Sequence, residues 1–248
     1  MLKILNEITF MKIIIKTTML LLMAIIIVPS IVSCGGDDDI TNDKKEEQNN
    51  NHEGNDDITV YRSCPNRNHP HIIDLGLSSG TKWACCNVGA SEPEDMGKYY
   101  AWGEIYTKNL YNYDTYKHGR SIDDVVFIGS DIAGTPYDAA TANWGEAWCI
   151  PSQFQMQELF DNCSTEWTTI NGVEGWKVTG KNNGTIFFPA AGSCYDGLFE
   201  SIGQQGFYWT SSLADYLWSA YSLQFYSQRF IIAGMIREAG LSIRPIRK

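Results

Sequence analysis

Histidine is scarce in this chain, four among 248 residues. No CxxC pair and no HxxxH spacing accompanies it, which excludes the familiar zinc arrangements. Basic residues are also few: 19 Lys and Arg stand against 29 Asp and Glu, a formal net charge of −10, and a chain without a basic excess lacks the electrostatic footprint of nucleic-acid binding. No apolar run reaches the length of a membrane span. The strings that carry enzymatic chemistry are missing too. There is no phosphate-cradling glycine loop, dinucleotide fingerprint or HExxH, and no nucleophile elbow is read. Asp123 and Asp124 form the densest acidic pair of the domain, in SIDDVV, and read as a turn or strand end. Glu146 and Glu158 are single carboxylates, whereas glycoside hydrolysis needs two across a cleft. His69 and His71, in NHPH, read as an exposed loop. The expectation is a domain that is not an enzyme, with no catalytic residue, metal or cofactor.

At the N-terminus, Lys12 and Lys16 precede an apolar run from Met19 to Val32, the layout of a secretory signal over residues 1–33, with Met11 as an alternative start. The string Ile31-Val32-Ser33-Cys34 resembles the lipobox of bacterial lipoproteins, which implies that Cys34 carries lipid and anchors the chain to a membrane. Residues 34–57 follow as a tether. Nearly devoid of apolar side chains, they cannot offset the entropy of ordering, and they hold most of the net negative charge. The acidic cluster after Cys34 resembles the export signal of surface lipoproteins in Bacteroidota-type outer membranes. It implies an outer-membrane protein, lipid-anchored, facing the cell exterior.

From Ile58 to Lys248 short runs rich in Tyr, Trp, Phe and Thr alternate with Gly, Asn and Ser, the text of a loop-rich antiparallel protein. Strands are expected at His71–Leu75, Thr81–Cys85, Lys98–Trp102, Trp176–Thr179, Thr185–Phe188, Phe207–Thr210, Ala220–Phe225, Arg229–Ala233 and Leu241–Ile246. Lys181–Gly184, with its Asn-Gly, reads as a hairpin turn. Tyr106–Asp131 has no period and reads as a long ordered loop, where function is often placed. Thr135 as cap, Pro136 and Asp138 open a short helix ending at Gly145. The stretch Asn143–Cys163 carries a second helix: Ser152 caps, Gln155 reaches back, and Met156, Leu159, Phe160 and Cys163 share one face. Trp144, Trp148 and Ile150 are the expected cover for that face. The sum is one α+β domain over residues 58–248, mainly antiparallel strands with two short helices and long loops.

Six cysteines remain after Cys34: Cys64, Cys85, Cys86, Cys149, Cys163 and Cys194. An even number in an exported domain permits a disulfide framework, with fifteen connectivities for six cysteines. Cys85 and Cys86, adjacent in a strand, are expected to face opposite ways. The strings IDLGLSSGTKWACCNVGASEPEDMGKYYAWGE, DAATANWGEAWCIPSQFQMQEL, FFPAAG, YWTSS and LSIRPI, spread over residues 71–247, resemble the Fibrobacter succinogenes major paralogous domain family. That family is related in pattern to the formylglycine-generating, sulfatase-modifying-factor enzymes, and the resemblance implies a C-type-lectin-like fold. Departures limit what carries over. Cys149 stands where the family commonly has an arginine; the catalytic cysteine pair of the formylglycine-generating enzymes has no counterpart; and neither EPN or QPD nor WND, the calcium-dependent sugar motif of true C-type lectins, occurs. Cys86 and Cys163 occupy positions where the family commonly has cysteines, which makes them the leading disulfide candidates, with Cys149 and Cys194 next.

In Tyr221–Tyr226 alternation sends Tyr221, Leu223 and Phe225 to one face and Ser222, Gln224 and Tyr226 to the other. Asp215, Tyr216, Trp218, Arg229 and Phe230 sit in or beside the connecting loops, and Tyr, Trp and Arg are strong contact residues when a loop presents them. Ser222, Gln224 and Tyr226 with these five make the expected ligand-binding surface. The ligand is a protein or a glycan. The alternative is a structural or fimbrial-tip component whose contacts are with other surface proteins, and behind it stands a hydrolase or oxidase acting on envelope material.

Overall fold

The computed structural model describes residues 71–248, most of the second of two units into which the chain divides after Asp56. The signal peptide, Cys34, the tether, Cys64 and His69 lie outside the described residues.

The described residues form an α+β fold of short strands in four small sheets. β1 (Ile72–Asp74) and β2 (Lys82–Ala84) pair antiparallel. The intervening turn places Gly76 at φ 67°, where its N–H reaches Asp74 Oδ1 at 2.8 Å. The last strand, β12 (Ile246–Arg247), returns to lie between β2 and β3 (Trp148–Cys149). β4 (Ser164–Ile170), β5 (Val173–Thr179) and β6 (Thr185–Pro189) form a meander. β7 (Ser193–Tyr195) and β8 (Leu198–Glu200) form a hairpin. β9 (Gln205–Leu213), β10 (Ser219–Tyr226) and β11 (Arg229–Ile236) form the longest sheet. Every pairing of named strands is antiparallel.

Two α-helices are present among the described residues. α2 (Gln153–Asn162) starts as its sequence dictates: Ser152 Oγ accepts from Gln155 N and the Gln155 side chain returns to Ser152 N at 2.9 Å, a complete capping box. α1 (Ala139–Trp144) starts three residues later than Thr135 suggests. Its cap is Asp138, whose carboxylate accepts from the N–H groups of Ala140, Thr141, Gly134 and Ile150. Thr135 is spent instead on a turn of its own, bonding Ile132 O and Tyr137 N.

Two large apolar clusters divide the interior. Ala84, Cys86, Trp102, Trp144, Trp148, Ile150, Trp209 and Leu241 belong to one. Leu75, Trp83, Met156, Leu159, Phe160, Trp176, Phe188, Leu223 and Phe225 belong to the other. The apolar face of α2 is therefore covered by side chains of β5, β6, β9 and β10, not by Trp144, Trp148 and Ile150, which belong to the first cluster. Two expected strands are also not formed over their length, although Ile246, the last residue of one, is in β12. Lys98–Trp102 bonds in turn to Val88 O, Leu241 O and Arg237 O. Leu241–Ile246 likewise changes partners, bridging Tyr100 and then Tyr208 before Pro245, which has no N–H, accepts from Ala84 N. Neither segment keeps one neighbour long enough to become a ladder. Buried Arg244 nails the second of them down, donating to Asn87 Oδ1, Cys85 O and Phe187 O at 2.7–2.8 Å.

Candidate functional site

The loop 214–218 between β9 and β10 is closed by Ser219 N on Tyr216 O at 2.9 Å and by the Tyr221 hydroxyl on Asp215 Oδ1 at 3.1 Å. The rings of Tyr216 and Trp218 stack at 5.1 Å with 10° between planes. Arg237, just past β11 and fully buried, donates through one nitrogen, Nη1, to Leu217 O at 2.8 Å and to Val126 O at 3.0 Å. Its guanidinium lies 4.7 Å over the Trp102 ring. A rigid cation thus ties the β9–β10 loop to the long loop, and from this anchor four apolar side chains leave toward solvent: Val126 (53% exposed), Phe127 (59%), Tyr216 (55%) and Leu217 (48%). Hydrophobic side chains clustered at the surface on two loops mark an interaction surface.

The long loop behaves as an ordered element. Glu104, nearly buried, pairs with Lys108 Nζ at 2.9 Å and accepts from Lys117 N at 2.8 Å. The Tyr116 hydroxyl donates to Trp102 O, and His118 Nε2 lies 2.9 Å from Gly103 O. Gly119, at φ 135°, lets Val126 N reach His118 O at 2.8 Å, since any Cβ there would stand 2.6 Å from Val125 Cα. Asp124 folds the tip by accepting from Arg120 N and Ser121 N. Beneath lies Glu238, fully buried with no hydrogen bond to either carboxyl oxygen. Burial pushes its pKa up to about 7, against the charges of Lys108 and Arg237. Burial likewise lowers the pKa of His118.

At the opposite end of the sheet the turn Ser227–Gln228 joins β10 to β11. Arg229 lies 5.3 Å over the Tyr226 ring, and Phe230 packs on Phe160 at 4.6 Å and Trp176 at 5.9 Å. Arg229, Phe230, Thr165 and Trp167 border an open groove of about 380 Å³.

The eight expected contact residues therefore do not form one surface. Asp215, Tyr216 and Trp218 stand at one end of β10 and Tyr226, Arg229 and Phe230 at the other, roughly 26 Å apart for an eight-residue strand. Ser222 and Gln224 are used within the sheet. Ser222 is fully buried and bonds Ala233 O, and Gln224 Nε2 donates to Ser222 Oγ. Leu223 and Phe225 do point inward as expected, but the β9–β10 register shifts between Ala220 and Ser222, and strict alternation fails there. Val126, Phe127, Leu217 and Arg237 were not among the expected residues. The sign that could have found the first two is Val125-Val126-Phe127-Ile128, the longest apolar run of the long loop.

The disulfide expectation is corrected. Cys149, Cys163 and Cys194 are thiols, so neither Cys86–Cys163 nor Cys149–Cys194 is bridged. Cys86 sits in the first cluster and Cys163 flanks the second; Cys149 belongs to the second and Cys194 to a small separate one with Tyr111 and Tyr116. Burial pushes the Cys149 thiol up to about 12. Cys85 and Cys86 do not face apart: β2 ends at Ala84, and their sulfurs approach to 3.5 Å.

One string does match a catalytic spacing. Gly76-Leu77-Ser78-Ser79-Gly80 reads GxSxG. It forms the β1–β2 turn, joins two strands rather than a strand and a helix, and spends Ser78 Oγ on Glu158 Oε1 at 2.9 Å, so the geometry of a nucleophile elbow is not set up. Among the described residues no group of three or more His, Cys, Asp and Glu side chains is arranged to hold a metal. No protein-family model matches the chain, and neither the curated proteins nor the solved structures give a match.

Proposed function

We propose that the domain is a non-catalytic recognition module, C-type-lectin-like in fold, carried on a cell-surface lipoprotein that is held in the outer membrane by lipid on Cys34. It binds a protein or glycan ligand through the loop patch around Arg237. The observation that carries this reading is the double use of Arg237 Nη1, which fixes Leu217 and Val126 to one atom and so presents aromatic and aliphatic side chains on ordered loops. Preorganised loops bind with less entropy lost on association. The α+β arrangement, with short antiparallel strands, two short helices and long loops, is what the lectin-like resemblance implies.

A screen of the exported chain against glycans and surface proteins tests this, with a variant carrying Phe127→Ala, Tyr216→Ala and Trp218→Ala beside it. Binding lost by the triple variant while its fold is retained supports the proposal. Binding that survives intact rejects the patch.

A second reading, a structural subunit, is favoured by β11. It is paired only on its β10 side among the described residues and exposes Ile231. An open apolar edge strand is a template for another chain. Concentration-dependent assembly in sedimentation velocity, abolished by Ile231→Lys, would select this reading.

A further inference from the structure

A groove of about 740 Å³ opens beside the first apolar cluster, and no residue of the proposed patch lines it. Its floor is fixed by backbone bonds, Lys98 N to Val88 O at 2.8 Å and Tyr100 N to Leu241 O at 2.9 Å. At its rim stand Lys98, Tyr106 and Asn143, with the hydroxyls of Ser91 and Thr107.

Three features of this groove depart from the rest of the molecule. The chain is acidic, with a net charge of −10, yet Lys98 is the one charged side chain among the lining residues. Lys98 is exposed and makes no ion pair among the described residues. Its stem lies flat across Gly89, where a Cβ would stand 2.3 Å from Lys98 Cγ, so the glycine at φ 79° is what lets the lysine take this course. The neighbouring Asp95 is turned away into its own loop, accepting from Ser91 N and Glu92 N at 3.0 Å.

The second feature is Tyr106. Its ring is 67% exposed, and Lys117 Nζ stands 5.5 Å from its centroid, which adds a second cation at the lip. The third is Asn143. Its Nδ2 is committed to Ala139 O at 2.7 Å and Ile105 O at 3.2 Å, which orients the amide and leaves Oδ1 as an acceptor without a donor among the described residues.

A cation, an exposed aromatic ring and an oriented amide acceptor, flanked by hydroxyls, match one ligand chemistry. The cation takes an anionic substituent, the ring takes the C–H face of a sugar, and the amide and hydroxyls take ring hydroxyls. We propose that this groove binds an acidic saccharide, with its carboxylate or sulfate on Lys98, a sugar ring on Tyr106 and a hydroxyl on Asn143 Oδ1. The site is separate from the Arg237 patch and does not depend on it.

The test is calorimetric titration of the exported chain with three probes: a galacturonic acid tetrasaccharide, a sulfated galactose tetrasaccharide and an uncharged galactose tetrasaccharide. At least one acidic probe binds, the uncharged one does not, and raising the salt weakens the binding as it screens the charge. Which acidic probe binds tells carboxylate from sulfate. Lys98→Ala weakens binding by about fivefold, as loss of one exposed charge contact does, and Lys98→Arg restores most of it. Tyr106→Ala weakens it by about tenfold, the scale of one aromatic contact. The Tyr216→Ala/Trp218→Ala double variant binds the acidic probe as the parent does, which separates this proposal from the patch. Binding of neither acidic probe at millimolar concentration, equal binding of the uncharged one, or indifference to Lys98→Ala overturns it.

Discussion

Arg237 and Glu238 are consecutive and both fully buried, but only the arginine is put to use by hydrogen bonds. Glu238 gains nothing comparable, and its folded pKa of about 7 exceeds the unfolded 4.5. The folded state therefore holds a proton that the unfolded state has released, and stability falls as pH rises from about 4.5 to about 7, levelling off above, by on the order of 3 kcal/mol. His118, lowered by its burial, acts in the opposite direction, so the comparison that isolates Glu238 is the difference between two curves. Glu238→Gln removes this decline, measured as urea midpoints from pH 4 to pH 8. Asp138, also raised by its burial, differs in being satisfied: its carboxylate accepts from four backbone N–H groups. Asp138→Ala strands those donors and the start of α1, costing about 2–4 kcal/mol in urea unfolding at pH 7.

At the scale of elements, the parts that could be read in the sequence are those whose determinants are local. The capping box of α2 is complete within four residues, and the β5–β6 hairpin turns at Asn183, which takes φ 66°. Elements defined by distant partners could not be read. β4 reads as polar text, since Ser164, Thr165 and Glu166 are exposed, and it is a strand because Trp167 stands opposite Trp176. The choice between the two clusters is likewise invisible to a helix's own period: Met156, Leu159 and Phe160 name a face but not its cover. Phe160 shows what that cover is, with rings of Trp176, Phe188 and Phe230 within 6 Å. Phe160→Ala costs about 3–5 kcal/mol and loosens the β10–β11 turn through Phe230, visible as faster amide exchange in residues 226–230 than in 214–218.

At the scale of the whole molecule, the length of β10 decides how the candidate site is organised. Residues close together in the C-terminal sequence are carried to opposite ends of one sheet, and the long loop, far away in sequence, is brought to meet one of those ends. Tyr216 and Trp218 could be named from residue type alone. Val126 and Phe127 could not, because it takes the folded chain, with Arg237 bonded to Val126 O and Leu217 O, to tie their loop to the β9–β10 loop. The domain thus holds an apolar patch at one end of its longest sheet, an aromatic groove at the other and a cationic groove elsewhere, and ligand recognition is proposed chiefly for the patch. The most direct test is the affinity of the exported chain for a ligand found by screening, measured across the single variants Phe127→Ala, Tyr216→Ala, Trp218→Ala and Tyr226→Ala. Losses of about tenfold or more are expected for the first three and no change for Tyr226→Ala. Loss confined to Tyr226→Ala, with the other three unchanged, would move recognition to the far end of the sheet and contradict the proposal.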